Sequence, residues 1–141
     1  MTDPVILPRV QASFDRQTMM QTFGAEMLAA AAGRCVIRAP ILPTVRQQQG
    51  AGHAALAFGL GDSAAGYSAL TLLTDEFEVM TVEMKINLLA PAVGEALEAA
   101  GEVVRAGRRI TVVRAEVVAI DGHVRRTVAL LQGTMIPVAA G

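Results

Sequence analysis

The second half of the chain alternates. Across Glu76–Pro91, Met80, Val82, Met84, Ile86 and Leu88 fall on one face. Thr81, Glu83, Lys85 and Asn87 fall on the other. A period of two predicts a β-strand, and Pro91 stops it. Glu95–Gly107 and Arg108–Ile120 read as two further strands joined by a turn at Ala106–Gly107. Asp121-Gly122 is a two-residue hairpin signal leading into a last strand, His123–Val138. Four consecutive strands with short connections predict an antiparallel sheet. Ala54–Leu73 is different: it is apolar on every side and carries one charge, Asp62. That pattern predicts a core helix, enclosed rather than half exposed. Upstream, Ser13–Arg34 predicts one helix, capped by Ser13 or Asp15 and ended by Gly33. Cys35–Leu42 follows as a short strand closed by Pro40 and Pro43, and Pro43–Gly52 as a glycine-ended loop.

These elements predict an α+β domain over residues 13–141, preceded by a loose lead-in over 1–12 that Pro4 and Pro8 break. The simplest burial wraps a curved antiparallel sheet of about five to six strands around the long central helix. Such a sheet has open edges, and its outer face here is rich in valine and alanine. Edge pairing between subunits satisfies both, so a homo-oligomer is expected.

Composition narrows the function. Twelve basic and thirteen acidic residues leave a net charge of -1, which argues against a nucleic-acid partner. Cys35 is the single cysteine, so no intrachain disulfide or cysteine-cluster metal site is expected; a base for it is not in sight, and it reads as core. His53 and His123 are too few for most zinc sites, so no metal is expected. Ala54–Leu73 is long enough to cross a bilayer, but Asp62 at its middle would cost about 3 kcal/mol there, and no membrane partner is expected. The N-terminus lacks the basic start and apolar run of a signal peptide, so a cytoplasmic location is expected.

Four runs together carry a resemblance: "QQQGAGHAALAFGLGDSAAGYS", "TVEMKINLLAPAVG", "EVVRAGRRITVVRAEVVAIDG" and "VALLQGTMIPV". In order and spacing, over roughly residues 15–138, they resemble the phenylacetate-degradation (PaaI-like) type of acyl-CoA thioesterase, of the hotdog fold. The resemblance implies a β-α-β-β-β-β chain, sheets joined edge to edge in a homodimer, and a pair of dimers forming a homotetramer. It implies hydrolysis of acyl-CoA to free acid and CoA, with no cofactor beyond the CoA of the substrate. Residue by residue, Gln47 matches the family's amide position, His53 its histidine, and Asp62 its helix carboxylate. Ala54 and Ala55 stand where two glycines are usual. Thr81 matches a hydroxyl residue that some members set beside the carboxylate. Gly107, Arg108 and Arg109, in the "AGRR" turn, match a segment that contacts the CoA nucleotide.

The chemistry of thioester hydrolysis gives these residues roles. Asp62 is the one titratable group in the helix interior; as a carboxylate it can deprotonate water or attack the thioester carbon, and the sequence leaves both open. The first N–H groups of the helix have no internal partner, which makes the Ala54 N–H an oxyanion donor. Gln47 adds a side-chain donor, and His53 reads as a residue that orders the loop. Arg108, Arg109, Arg105 and Arg46 are candidates for CoA phosphates. Nine residues separate His53 from Asp62, which is half a turn off and about 13 Å along a helix. The two lie on opposite faces, and the distance along the axis separates Ala54 from Asp62 as well, so a joint site is expected to require two subunits. Thr81 sits opposite the apolar face of its strand and meets a partner's Asp62 only if that face turns to the interface or a bulge intervenes. A hydratase or dehydratase on the same fold would need the histidine and acid within reach of each other. A non-catalytic acyl-CoA-binding protein is the other alternative, with the alanines for glycines marking lost activity.

Overall fold

The computed structural model describes residues 3–141. Helices α1 (Pro8–Arg16) and α2 (Thr18–Phe23) precede strands β1 (Glu26–Ala31) and β2 (Arg34–Pro40). Helix α3 (Ala54–Leu70) follows, and then strands β3 (Phe77–Leu88), β4 (Ala96–Ala106), β5 (Thr111–Asp121) and β6 (Val124–Ala139). The strands form one six-stranded sheet in the order β1-β2-β4-β5-β6-β3, with every pairing antiparallel. The sheet curves around α3, whose residues from Ala64 to Leu70 are all buried. The C-terminal half of the helix is covered on all sides, as its sequence predicts, while Ala54, Ala55 and Phe58 at its start are exposed.

Two features hold α3 against the sheet. Gly101 of β4 lies under the helix backbone: a Cβ there would stand 2.3 Å from the Ala64 carbonyl carbon and oxygen. Only glycine permits that approach. At the other end, the Arg9 guanidinium donates to Leu70 O at 2.7 Å and to Leu73 O, and pairs with Asp75 at 3.3 Å. Arg9 thereby adds to the Leu73 N–H, which already donates to Leu70 O at 3.0 Å, in tying down the end of the helix.

The N-terminal third departs from the sequence reading. Residues 13–34 are not one helix. Gly24, left-handed at φ 68°, ends α2, and Met27–Ala31 extends into β1 despite its helix-favouring composition. Ala32 and Gly33, both at positive φ, close a tight turn onto β2. Edge pairing with β2 and burial of Met27 and Ala30 outweigh the local preference. The lead-in is not loose either: α1 begins at Pro8, and Val10 is fully buried.

Strand β3 departs in phase. A bulge between Thr81 and Glu83 shifts its register against β6. Before the bulge Val79 and Thr81 turn inward; after it Met84 and Ile86 do. Met80, Val82 and Leu88, expected on a single inner face, are instead 58%, 57% and 57% exposed. The bulge adds one residue, which puts Met80 and Val82 on the opposite face from Met84 and Ile86; Leu88 keeps the phase of Met84 and Ile86 and is exposed at the cleft it lines with Ala54.

Candidate functional site

Asp62 lies half-buried on the eighth position after the helix start, facing the bulged part of β3. Thr81 Oγ1 donates to its Oδ1 at 2.7 Å. The contact forms within one chain, contrary to the expectation that Thr81 would need a partner's Asp62; the bulge turns the hydroxyl inward. The same hydroxyl is 3.3 Å from Met135 Sδ, but it has one proton, and the carboxylate is the stronger acceptor. Burial pushes the Asp62 carboxyl above its ordinary range, and the Thr81 hydrogen bond draws it part of the way back. A pocket of 140 Å³ opens beside the pair. Gln17, Ser63, Tyr67 and Glu78 complete its polar wall. Sequence reasoning singled out none of these four as catalytic. Gln17 comes from the α1–α2 junction, which was read as mid-helix, so no local signal marked it.

The other predicted residues gather at the start of α3. His53 is the N-cap, and its Nδ1 accepts from the Ala55 N–H at 2.8 Å. Capping therefore takes the Ala55 N–H and leaves the Ala54 N–H, the first of the helix, without an intrahelical partner. Gln47 is half-buried, while Gln48 and Gln49 are exposed. Its side-chain oxygen accepts from the Gln49 N–H, so its NH₂ group remains to donate. Gln47, His53 and Ala54 line a cleft of 410 Å³ with Leu88, Ala90 and Val128.

The two groups of residues lie apart in the subunit. Ala54 and Asp62 are eight residues apart on one helix, about 12 Å along its axis and on different faces. The sheet separates them in the same sense. Asp62 faces the row Thr81–Met135–Thr111, whereas the Ala54 cleft lies by Leu88 and Val128. Gly107, Arg108 and Arg109 form the exposed β4–β5 turn, closed by Gly107 N–H donating to Ile110 O at 2.8 Å. That turn lies just past Thr111, hence at the Asp62 end of the sheet. Cys35 is fully buried in β2 and its thiol is pushed up to about 12 by burial, which suits a core residue and not a nucleophile.

The structure thus carries a helix start with a free N–H and, apart from it, a half-buried carboxylate that accepts from a hydroxyl. Residues 49–125 match the Thioesterase superfamily. The chain belongs to that superfamily. It is a thioester hydrolase of the hotdog fold. A thioesterase family protein from Silicibacter pomeroyi is 36% identical, with a TM-score of 0.91 over 94% of this chain and 97% of that one. The PaaI protein from the phenylacetic acid degradation operon of E. coli shares the fold at 19% identity, TM-score 0.83, over 94% and 92% of the two chains. A thioesterase from Haemophilus influenzae does so at 14% identity, TM-score 0.83, over 99% and 96%. No curated protein matches the chain significantly. Among the described residues, no helix is long and apolar enough to cross a membrane.

Proposed function

We propose that this thioesterase hydrolyses acyl-CoA at a site shared between two subunits, with Asp62 as the general base. The observation that carries the reading is the Thr81–Asp62 hydrogen bond. It occupies Oδ1 and leaves Oδ2 to take a proton from water. A carboxyl raised by burial is the stronger base for it. Across the interface, the partner's Ala54 N–H and Gln47 amide bind the developing oxyanion, and the helix dipole adds to both. His53 orders the loop and caps the helix. Water activated by a carboxylate needs no metal and no cofactor beyond substrate CoA.

The open sheet edge supports the pairing. Residues Val5–Leu7 already hydrogen-bond along β1, at Ala30. Strand β3 ends the sheet at its other side and exposes Met80, Val82 and Leu88. Suppose two β3 strands pair antiparallel about a two-fold axis at Met84–Lys85. Thr81 and Asp62 of one subunit then face the Leu88 cleft of the other, where Gln47 and Ala54 stand. Each dimer holds two complete sites, and two dimers associate as a tetramer. The Gly107–Arg109 turn, at the Asp62 end, takes the CoA phosphates through Arg108 and Arg109.

Free-thiol release from an acyl-CoA panel tests the reading. The purified protein turns over, and Asp62→Asn falls by at least about a hundredfold, the usual range for a general base. Equal rates in the two proteins refute the assignment of Asp62.

A further inference from the structure

The pocket beside Asp62 has a wall built by the N-terminal helices, and the hydrogen bonds in that wall run in one direction. Ser13 Oγ is 3.0 Å from Glu78 Oε2 and 3.4 Å from Tyr67 Oη. Its single proton goes to the charged carboxylate, which Arg16 also holds at 2.8 Å. Ser13 then has a lone pair for the Tyr67 phenol. That phenol is pushed up by burial and stays protonated, and it meets the Gln17 NH₂ at 3.0 Å. Ser63 Oγ donates to Gln17 Oε1 at 3.1 Å. The Gln17 amide is therefore fixed at both ends: its oxygen toward Ser63, its nitrogen toward Tyr67. One of its two N–H groups has no partner among the described residues, and Gln17 lines the pocket. The floor is closed: a Cβ on Gly66 would already touch Met135 Cε at 3.5 Å and Val79 Cγ2 at 3.6 Å.

The size is informative. At 140 Å³ the pocket is small beside the 410 Å³ cleft by Ala54, and six of its lining residues, Gln17, Asp62, Ser63, Tyr67, Glu78 and Thr81, are polar, so a short acyl group carrying a polar atom suits it better than a long saturated chain.

We propose that Gln17 determines substrate specificity: its spare N–H binds an oxygen on a short acyl group lodged beside Asp62, so the preferred substrates are short acyl-CoA thioesters bearing a hydroxyl or carbonyl. The inference rests on the reading of Asp62 as the reacting carboxylate. It adds a ligand class that the carboxylate alone does not specify. A site that hydrogen-bonds a substrate oxygen discriminates against the analogue lacking it, because its own polar group is then left unpaired.

The experiment compares 3-hydroxybutyryl-CoA, butyryl-CoA and palmitoyl-CoA with the full chain. The expected wild-type kcat/KM favours 3-hydroxybutyryl-CoA over butyryl-CoA by about tenfold, and both over palmitoyl-CoA. In Gln17→Leu that first ratio collapses toward one, mainly through KM of the oxygenated substrate. The ratio is taken within one protein, so a general loss of folded enzyme cancels. A wild type that prefers palmitoyl-CoA, or that treats the two short substrates alike, overturns the inference and leaves Asp62 untouched. So does a Gln17→Leu variant with the wild-type ratio. Undiminished turnover by Asp62→Asn instead removes the reading beneath it.

Discussion

Replacing Thr81 by valine isolates the hydrogen bond that sets Asp62. Valine keeps the shape of the side chain and removes the one donor, Oγ1 at 2.7 Å from the carboxylate. Two opposed effects act on Asp62: burial raises its carboxyl and the Thr81 bond lowers it. Without the bond the carboxyl rises further. A hydrogen bond to a charged group contributes about 1.5–3 kcal/mol in a dry site. Asp62 is half-buried, and water replaces part of the lost interaction, which brings the expected loss to about 1.4 kcal/mol or less. The active form is the carboxylate, so activity is lost as pH falls through this value. In Thr81→Val the acid limb of kcat/KM moves to higher pH. At a pH on that limb the variant is about tenfold slower; on the plateau above it the gap narrows. Thr81→Ser, which keeps the hydroxyl, follows the wild type. The reasoning fails if the acid limb of Thr81→Val coincides with that of the wild type, or moves the other way.

Two further expectations concern what positions the site. Ala32 stands at φ 53°, where a non-glycine residue costs about 1 kcal/mol or more, in a turn that favours Asn-Gly; Ala32→Asn raises stability by about 1 kcal/mol, read as a higher midpoint in denaturant with unchanged slope. Gly101→Ala puts a methyl 2.3 Å from the Ala64 carbonyl and destabilises by about 3 kcal/mol, with α3 lifted off β4; an unchanged melting temperature would show that the helix does not rest there.

Helix α3 was legible in the sequence because its signal is global: a long segment apolar on all sides has few ways to be buried. Helical geometry alone also sets Ala54 apart from Asp62 along α3; that the two act together across an interface is the proposal above. Met27–Ala31 was not legible. Its residues favour a helix, and the strand exists because β2 offers an edge and the core accepts Met27 and Ala30. Nor was Gln17, whose place beside Asp62 depends on a break between α1 and α2, where Gln17 alone is extended, that leaves no residue pattern.

Strand β3 shows why a correct element can still mislead about a site. Its alternation is real, and the strand is where the pattern puts it. An unbroken strand would bury Met80, Val82, Met84, Ile86 and Leu88 together and turn Thr81 away from the helix. The bulge at Thr81–Glu83 divides that set. Met84 and Ile86 go to the core. Met80 and Val82 are left on the outside of an edge strand, where apolar exposure is a liability unless something covers it, while Leu88 stays in phase with Met84 and Ile86 and lines the cleft by Ala54. Thr81 is turned in toward Asp62. One extra residue thus makes the carboxylate's hydrogen bond and frees the apolar side chains for a neighbouring strand. Within the proposed dimer these two consequences belong together: the residue that prepares Asp62 also prepares the edge that would bring the partner's Ala54 to it.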